Sequence, residues 1–427
     1  MGPGVLSASV RAAAFPRSGT ALHCEGVPLE GLAVRWGTPL YVYSAASIRS
    51  AYEELERALT PVPHLIAYSV KANGNLAVLR TLAEMGAGAD IVSGGELERA
   101  LHAGIPAGRI VFSGVGKTVT EMAAALRAGI LAFNVESRGE LHALSDLAEA
   151  AGTRAPVSLR INPDIDSPTP HAYTRTGHAA SKFGIPMEQA RDLYREAAGL
   201  PGVRVRGVDV HIGSQILEPE PYGRALRQVL ALVGELSADG MALELLDMGG
   251  GLGISYDGEP GISAVAFAET ILPEVIASGM RLVVEPGRFL VGHAGVLLAR
   301  VLYVKQSGGR RFVITDAGMN DLLRPSHYSG FHAVEPVERT PGRALVRSDV
   351  VGPICETGDF LALDRDVEEV QPGELVAVHT VGAYGFSMAS TYNQRPRPAE
   401  VLVDGDGARL VRRRESAEEL MAAEMEL

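Results

Sequence analysis

Short apolar runs alternate with amphipathic stretches from about residue 37 to 290, and this alternation limits the possible folds more than any other feature of the chain. The runs are Leu65–Val70, Ala89–Val92, Ile110–Phe112, Leu131–Phe133, Val157–Ile161, Val205–Val210, Leu243–Leu246 and Arg281–Val284, eight in all. They are rich in Val, Ile and Leu and scarcely alternate with polar residues, as strands buried on both faces require. Between them Leu76–Met85, Val119–Arg127, Leu141–Ala151, Met187–Ala198, Tyr222–Leu236 and Ala264–Ala277 repeat apolar residues at helical spacing. Ser137-Arg138-Gly139-Glu140 has the Ser-x-x-Glu form of a capping box at a helix start. Eight βα units over roughly 250 residues predict an α/β fold, a closed (β/α)8 barrel of the TIM type. An open doubly wound sheet would carry Gly-x-Gly-x-x-Gly after its first strand. Here that turn reads Lys71-Ala72-Asn73-Gly74.

After about residue 293 the pattern changes. Val296–Val304, Arg311–Ile314, Ala344–Val346, Leu375–His379 and Val401–Val403 read as strands without long helices between them. A second, mainly β domain over residues 293–427 follows, beside a barrel spanning residues 37–292. Residues 1–36 show no helical period, and Gly4–Ala14 is a candidate to pair with the β domain. Ser416–Met425 reads as a short acidic closing helix.

The charge balance excludes several partners. A net charge of -12 without a long basic run argues against nucleic acid and anionic membranes. Two cysteines, Cys24 and Cys355, are too few for a disulfide framework or, by themselves, a structural zinc site, so no metal is expected. The amino terminus lacks a signal-peptide pattern, and no apolar run is long enough to span a bilayer. A cytoplasmic location is expected.

In a barrel of this kind chemistry collects at the C-terminal ends of the strands. The first strand leads into Lys71, and a lysine held in a dry pocket loses its charge easily and can attack a carbonyl to form a Schiff base. The second strand carries Asp90, then Ser93-Gly94-Gly95-Glu96, and the fifth holds Arg160 and Asn162. The sixth ends in His211-Ile212-Gly213-Ser214-Gln215, the seventh in Asp247-Met248-Gly249-Gly250-Gly251, the eighth in Glu285-Pro286-Gly287-Arg288. Taken singly, each has a plainer reading: a solvated loop lysine, a flexible glycine turn, a hydrogen-bonded core histidine, a surface ion pair worth under about 1 kcal/mol. Their joint placement on one rim points instead to pyridoxal phosphate. Lys71 would take the aldehyde, while the Gly251 loop and Ser214 would hold the phosphate. His211 would stack on the ring, and Glu285 would keep the ring nitrogen protonated.

Tyr68-Ser69-Val70-Lys71-Ala72-Asn73, His211–Gln215, Gly249-Gly250-Gly251 and Glu285–Arg288 resemble the motifs of the barrel-type pyridoxal phosphate decarboxylases. The carboxylate of the last motif matters, because the related alanine racemases set an arginine against the ring nitrogen. In the second domain four segments are similar to diaminopimelate decarboxylases. They are Asn320–Tyr328, Gly352–Asp359, Gly382-Ala383-Tyr384 and Met388–Asn393. Thr176-Gly177 with Ser181-Lys182-Phe183-Gly184-Ile185 fits as well, and Phe331 departs from a frequent tyrosine.

The resemblance implies decarboxylation of meso-2,6-diaminopimelate to L-lysine and CO2. Cofactor contacts then fall to Lys71, Asp90, His211, Ser214, Gly249, Gly250, Gly251, Glu285, Gly287, Arg288 and Tyr384. Arg288 and Arg324 would hold the distal carboxylate, Glu356 the distal ammonium, and Tyr328 and Tyr384 the substrate. Lysine and ornithine, read as lacking the distal carboxylate, are expected to be poor ligands. Cys355 would return a proton to the α-carbon, since thiols titrate near 8.5 and hold a transferable proton at neutral pH. Buried structural thiols are commoner, and its setting between Ile354 and Glu356 favours the catalytic role. Cys24 has no such setting. The resemblance also implies a head-to-tail homodimer with shared active sites. Three other readings stand beside this one: an ornithine- or arginine-type decarboxylase, a non-catalytic cofactor-binding relative, and a cofactor-free Schiff-base barrel. The long segment His171–Lys182 is the candidate lid.

Overall fold

The computed structural model describes residues 14–165 and 181–425. Residues 4–13 of the segment Gly4–Ala14, the Thr176-Gly177 motif and residues 171–180 of the candidate lid lie outside the described residues. The chain divides into two compact units. One holds residues 51–254 and 261–289, the other residues 1–50, 255–260 and 290–427.

The first unit is a closed eight-stranded parallel barrel. Its strands are β1 (His64–Ser69), β2 (Gly88–Ile91), β3 (Ile110–Phe112), β4 (Ala132–Val135), β5 (Ala155–Asn162), β6 (Val203–Val210), β7 (Leu245–Asp247) and β8 (Arg281–Val284). Closure comes from β8 pairing with β1, Leu282 opposite His64 and Val284 opposite Ile66. All eight apolar runs form strands; Ile110–Phe112 and Arg281–Val284 match at both ends, and no other end shifts by more than two residues. Helices Leu76–Glu84, Val119–Ala128, Arg138–Ala150, Met187–Gly199, Glu220–Ala238 and Ala264–Ser278 occupy the six amphipathic stretches. Gly94–His102 is a further helix, whose two opening glycines hide it in the sequence.

The cap at Ser137 forms only half of the expected box. Its hydroxyl accepts from Glu140 N–H at 3.2 Å, but the Glu140 carboxylate turns to Glu136 N–H at 3.0 Å and the Lys117 ammonium at 2.6 Å. A buried charge outbids a main-chain amide for that carboxylate. The complete box lies at Thr118 and Glu121.

Inward positions of the barrel split into two layers. Leu65, Ala67, Val111, Leu131, Ala132, Leu245 and Val283 pack as an apolar floor. Two residues beyond Ala67 on the same face of β1 comes Ser69, where the lining turns polar. Asp90 lies in register with Ser69, Asp209 with Arg160, and Asp247 with Asp209, so these side chains share the interior.

In the second unit antiparallel pairing dominates. Gly295–Ser307 is its long central strand, flanked by Arg310–Thr315, Leu375–His379 and Leu40–Ser44. Residues 37–50, which the alternation assigns to the barrel, therefore lie with the β unit. Leu29–Trp36 is a helix despite the apparent lack of period. It packs Leu29, Leu32 and Ala33 into one core with Cys24, Val296, Leu298, Ala377 and Val401. Cys24 is a core residue whose thiol burial pushes far up, which leaves it inert.

Candidate active site

In the barrel unit the predicted residues converge. β1 ends in a single 3-10 turn, Val70–Ala72, which carries Lys71. The Lys71 ammonium donates to Asp90 Oδ2 at 2.5 Å and to Ser69 Oγ at 3.3 Å. The Ser69 hydroxyl lies 2.7 Å from Asp90 Oδ2 and 2.9 Å from the Glu285 carbonyl oxygen. The lysine side chain is 36 % exposed, whereas Asp90 is wholly buried. The amine thus stands at the open end of the barrel, tethered by a carboxylate below it.

Close main-chain approaches lace the loops after β6, β7 and β8 together. Glu285 N–H donates to the Gly249 carbonyl at 2.7 Å, and Ile216 N–H to the Gly251 carbonyl at 2.9 Å. Gly249 and Gly251 have φ of 64° and 91°, a left-handed region that glycine enters without penalty. A Cβ at Gly250 would lie 2.1 Å from the Glu285 carbonyl oxygen, and one at Gly251 2.2 Å from that of Gly213. Gly287 leaves only 3.0 Å for a Cβ against Ser69 and Ala72, the two ends of the lysine turn. Arg288 donates to Ser214 Oγ at 3.1 Å, joining the last loop to the sixth.

His211 accepts Gly250 N–H at Nδ1, 3.1 Å away. Burial first, then Arg160 and Lys71, hold this imidazole well below its usual titration range, so it is neutral. Glu285 receives Ser113 Oγ–H at 3.1 Å and Asn134 Nδ2–H at 3.2 Å, both on Oε1. Burial, then Asp247 and Asp90, push its carboxyl well above the carboxylate range. Asn134 Nδ2 also reaches Asp247 Oδ2 at 3.3 Å, and the carboxylates of Asp209, Asp247 and Glu285 lie within 4.8 Å of one another. Three crowded buried carboxylates cannot all be ionised, and a cation beside Glu285 would relieve them.

These residues fit pyridoxal phosphate. Three glycines keep side chains out of the space between the loops after β6, β7 and β8, as a phosphate cradle needs. Glu285 Oε2 has no hydrogen bond among the described residues, which leaves it for a protonated ring nitrogen. A neutral imidazole and a tethered amine complete the donor set.

Arg324, Tyr328, Cys355, Glu356 and Tyr384 belong to the β unit. Arg324 and Tyr328 begin and end the helix Arg324–Tyr328. Ser326 of that helix donates to the Gly358 carbonyl, tying it to the loop that bears Cys355 and Glu356. Asp359 anchors the loop, accepting Met319 and Ile354 N–H at 2.6 Å each. Cys355 and Glu356 are exposed; Cys355 N–H donates to Asn393 Oδ1 at 3.3 Å, and Tyr392 O–H to Glu356 Oε2 at 3.2 Å. Tyr384 has φ of 57°, a left-handed backbone rare for an aromatic residue. Phe331, the departure from the family pattern, lies under the Arg365 guanidinium at 3.7 Å.

Sequence reasoning missed Ser69, Ser113, Asn134, Lys117 and Asp209. Asn134, between Phe133 and Val135, and Asp209, between Val208 and Val210, could have been found as polar residues flanked by apolar ones, a signature of inward-facing groups.

Residues 45–292 match the model of the pyridoxal-dependent decarboxylase pyridoxal binding domain. The diaminopimelate decarboxylase of Pseudomonas fluorescens is 50% identical over 414 residues, covering 96% of this chain and 98% of that protein. The crystal structure of diaminopimelate decarboxylase from Helicobacter pylori complexed with L-lysine has a TM-score of 0.90 and 42% identity, covering 93% of this chain and 99% of that one. The crystal structure of diaminopimelate decarboxylase from m. jannaschii in co-complex with L-lysine reaches a TM-score of 0.92 at 35% identity, covering 97% of this chain and 98% of that one. A glycine-lined barrel rim with a tethered lysine, and likeness along nearly the whole chain, lead to one assignment: the chain belongs to the diaminopimelate decarboxylases, pyridoxal phosphate-dependent carboxy-lyases that form L-lysine.

Proposed function

We propose that Lys71 is the attachment point of the cofactor, with Asp90 beneath it, and that the other residues act as follows. Gly249, Gly250, Gly251 and Ser214 hold the phosphate, and Gly287 keeps the lysine turn close to the last loop. His211 packs on the ring, and Glu285 faces the ring nitrogen. Pyridoxal phosphate supplies the electron sink that accepts the pair left behind by departing CO2. Arg288 and Arg324 bind the distal carboxylate, Glu356 the distal ammonium, and Tyr328 and Tyr384 orient the substrate. Cys355 Sγ delivers the proton to the α-carbon. The observation that carries this reading is the contact chain Lys71–Asp90–Ser69–Glu285 together with the glycine loop, all in one unit.

L-lysine, the ligand of two solved relatives, revises one expectation. Entering with its ε-amine foremost, lysine presents its own α-carboxylate at the far end. It then carries the group the arginines are built for, and it should bind as a product.

The enzyme acts as a homodimer with shared sites in the cytoplasm. Exposure of Cys355 and Glu356 supports this, because a proton donor open to water must be covered by something for selective protonation. No described helix is long and apolar enough to cross a membrane, and the net charge of -12 disfavours nucleic acid. Mixing a Lys71→Ala subunit with a Cys355→Ala subunit tests the sharing. Random pairing of inactive variants should restore about a quarter of wild-type activity. No recovery, with heterodimers verified, would contradict it.

A further inference from the structure

Arg324 is held by a residue that no role above uses. The arginine is 8 % exposed, and its guanidinium carbon lies 4.5 Å from the centre of the Tyr256 ring. Its Nη1 lies 2.8 Å from Nε2 of His332, which is 1 % exposed. His332 Nδ1 lies 2.8 Å from the carbonyl oxygen of His379. A carbonyl only accepts, so Nδ1 carries the ring hydrogen, and Nε2 of the neutral ring offers the lone pair that Arg324 needs. The Tyr256 ring stands edge-on to the same imidazole, 5.5 Å away at 84°. The guanidinium is thereby fixed along one edge and across one face.

The choice of an imidazole has a physical consequence. A carboxylate at that position would orient Arg324 equally well but would neutralise it and compete with an incoming anion. A neutral acceptor orients the guanidinium without itself neutralising it. We propose that His332, backed by Tyr256, is the positioning residue that makes this enzyme select amines carrying a carboxylate at the far end. The inference rests on the reading of Arg324 as a distal-carboxylate ligand.

The test uses the holoenzyme and two ligands that differ by one carboxylate, L-lysine and 1,5-diaminopentane, with Kd measured by calorimetric titration. In the wild type L-lysine should bind about 10- to 100-fold more tightly, the range for a hydrogen-bonded charged pair. His332→Asn keeps a donor where Nδ1 stands and removes the Nε2 acceptor. It should cut the preference to below about 3-fold while leaving the diamine Kd unchanged. His332→Gln places an amide oxygen near the Nε2 position and should preserve the preference. Tyr256→Leu, which spares the His379 carbonyl, should lower it should the asparagine variant not fold.

Arg324→Gln separates the two levels. Loss of preference in Arg324→Gln with no change in His332→Asn and Tyr256→Leu overturns the present inference alone. An unchanged preference in Arg324→Gln overturns the reading of Arg324 itself. Equal weakening of both ligands in His332→Asn would mark a merely structural histidine and also overturn the proposal.

Discussion

Replacing Gly250 by alanine should weaken cofactor binding without unfolding the barrel. The added methyl would lie 2.1 Å from the Glu285 carbonyl oxygen and 3.0 Å from its carbon. Ordinary contact begins near 3.4 Å, so the loops after β7 and β8 must part by about 1.3 Å. Neither obstacle is the end of a flexible side chain. The carbonyl concerned also takes the Ser69 hydroxyl, and Gly250 N–H is the donor to His211 Nδ1. One methyl group therefore displaces the cradle, the imidazole and the support of the lysine turn together. Overpacking of this kind costs about 1–3 kcal/mol, which opening of the loops transfers from folding to binding. The Kd for pyridoxal phosphate should rise about 5- to 150-fold. Titrating the cofactor-free protein and following visible absorbance gives this number, and a urea melt of the same protein gives its stability. Wild-type affinity in a variant of wild-type stability would refute the steric account of the loop.

Two further changes probe other parts of the barrel. Gly234 sits exposed inside the helix Glu220–Ala238 with nothing within 4 Å of an added Cβ, so Gly234→Ala should stabilise by about 0.5–1 kcal/mol in urea melts; a loss of stability would contradict the open geometry. The Lys117 ammonium is fully buried and donates to the Gly114 and Asn134 carbonyls and to Glu140. Lys117→Met strands that carboxylate and should cost about 3–5 kcal/mol. It should also loosen Glu285, because Ser113 and Asn134 are the two residues bonded to Oε1. A variant as stable as the wild type would rule this out.

The strands of the barrel were legible because parallel strands buried on both faces leave unbroken apolar runs, and strand ends mark where side chains reach the rim. Lys71, His211, the glycine triplet and Glu285 could therefore be read from position and type. Their partners could not. Ser69, Asn134 and Asp247 meet around Glu285 only because β8 closes on β1, and pairings across a barrel leave no mark on local spacing. The helix Gly94–His102 was hidden by two glycines in its first turn, where Ser93 offsets their cost by capping Glu96 N–H at 3.2 Å. Leu40–Ser44 has the composition of a strand, but its place beside Gly295–Ser307 depends on partners more than 250 residues away.

One amine, at the end of the first barrel strand, is assigned as the carrier of the cofactor. The chain has only four lysines, Lys71, Lys117, Lys182 and Lys305, so chemical mapping can decide the matter. Borohydride treatment of the coloured enzyme, followed by digestion and mass spectrometry, should abolish the visible band and leave a single pyridoxyl tag on the Lys71 peptide. A tag on any of the other three, or an active enzyme that carries none, would contradict the account.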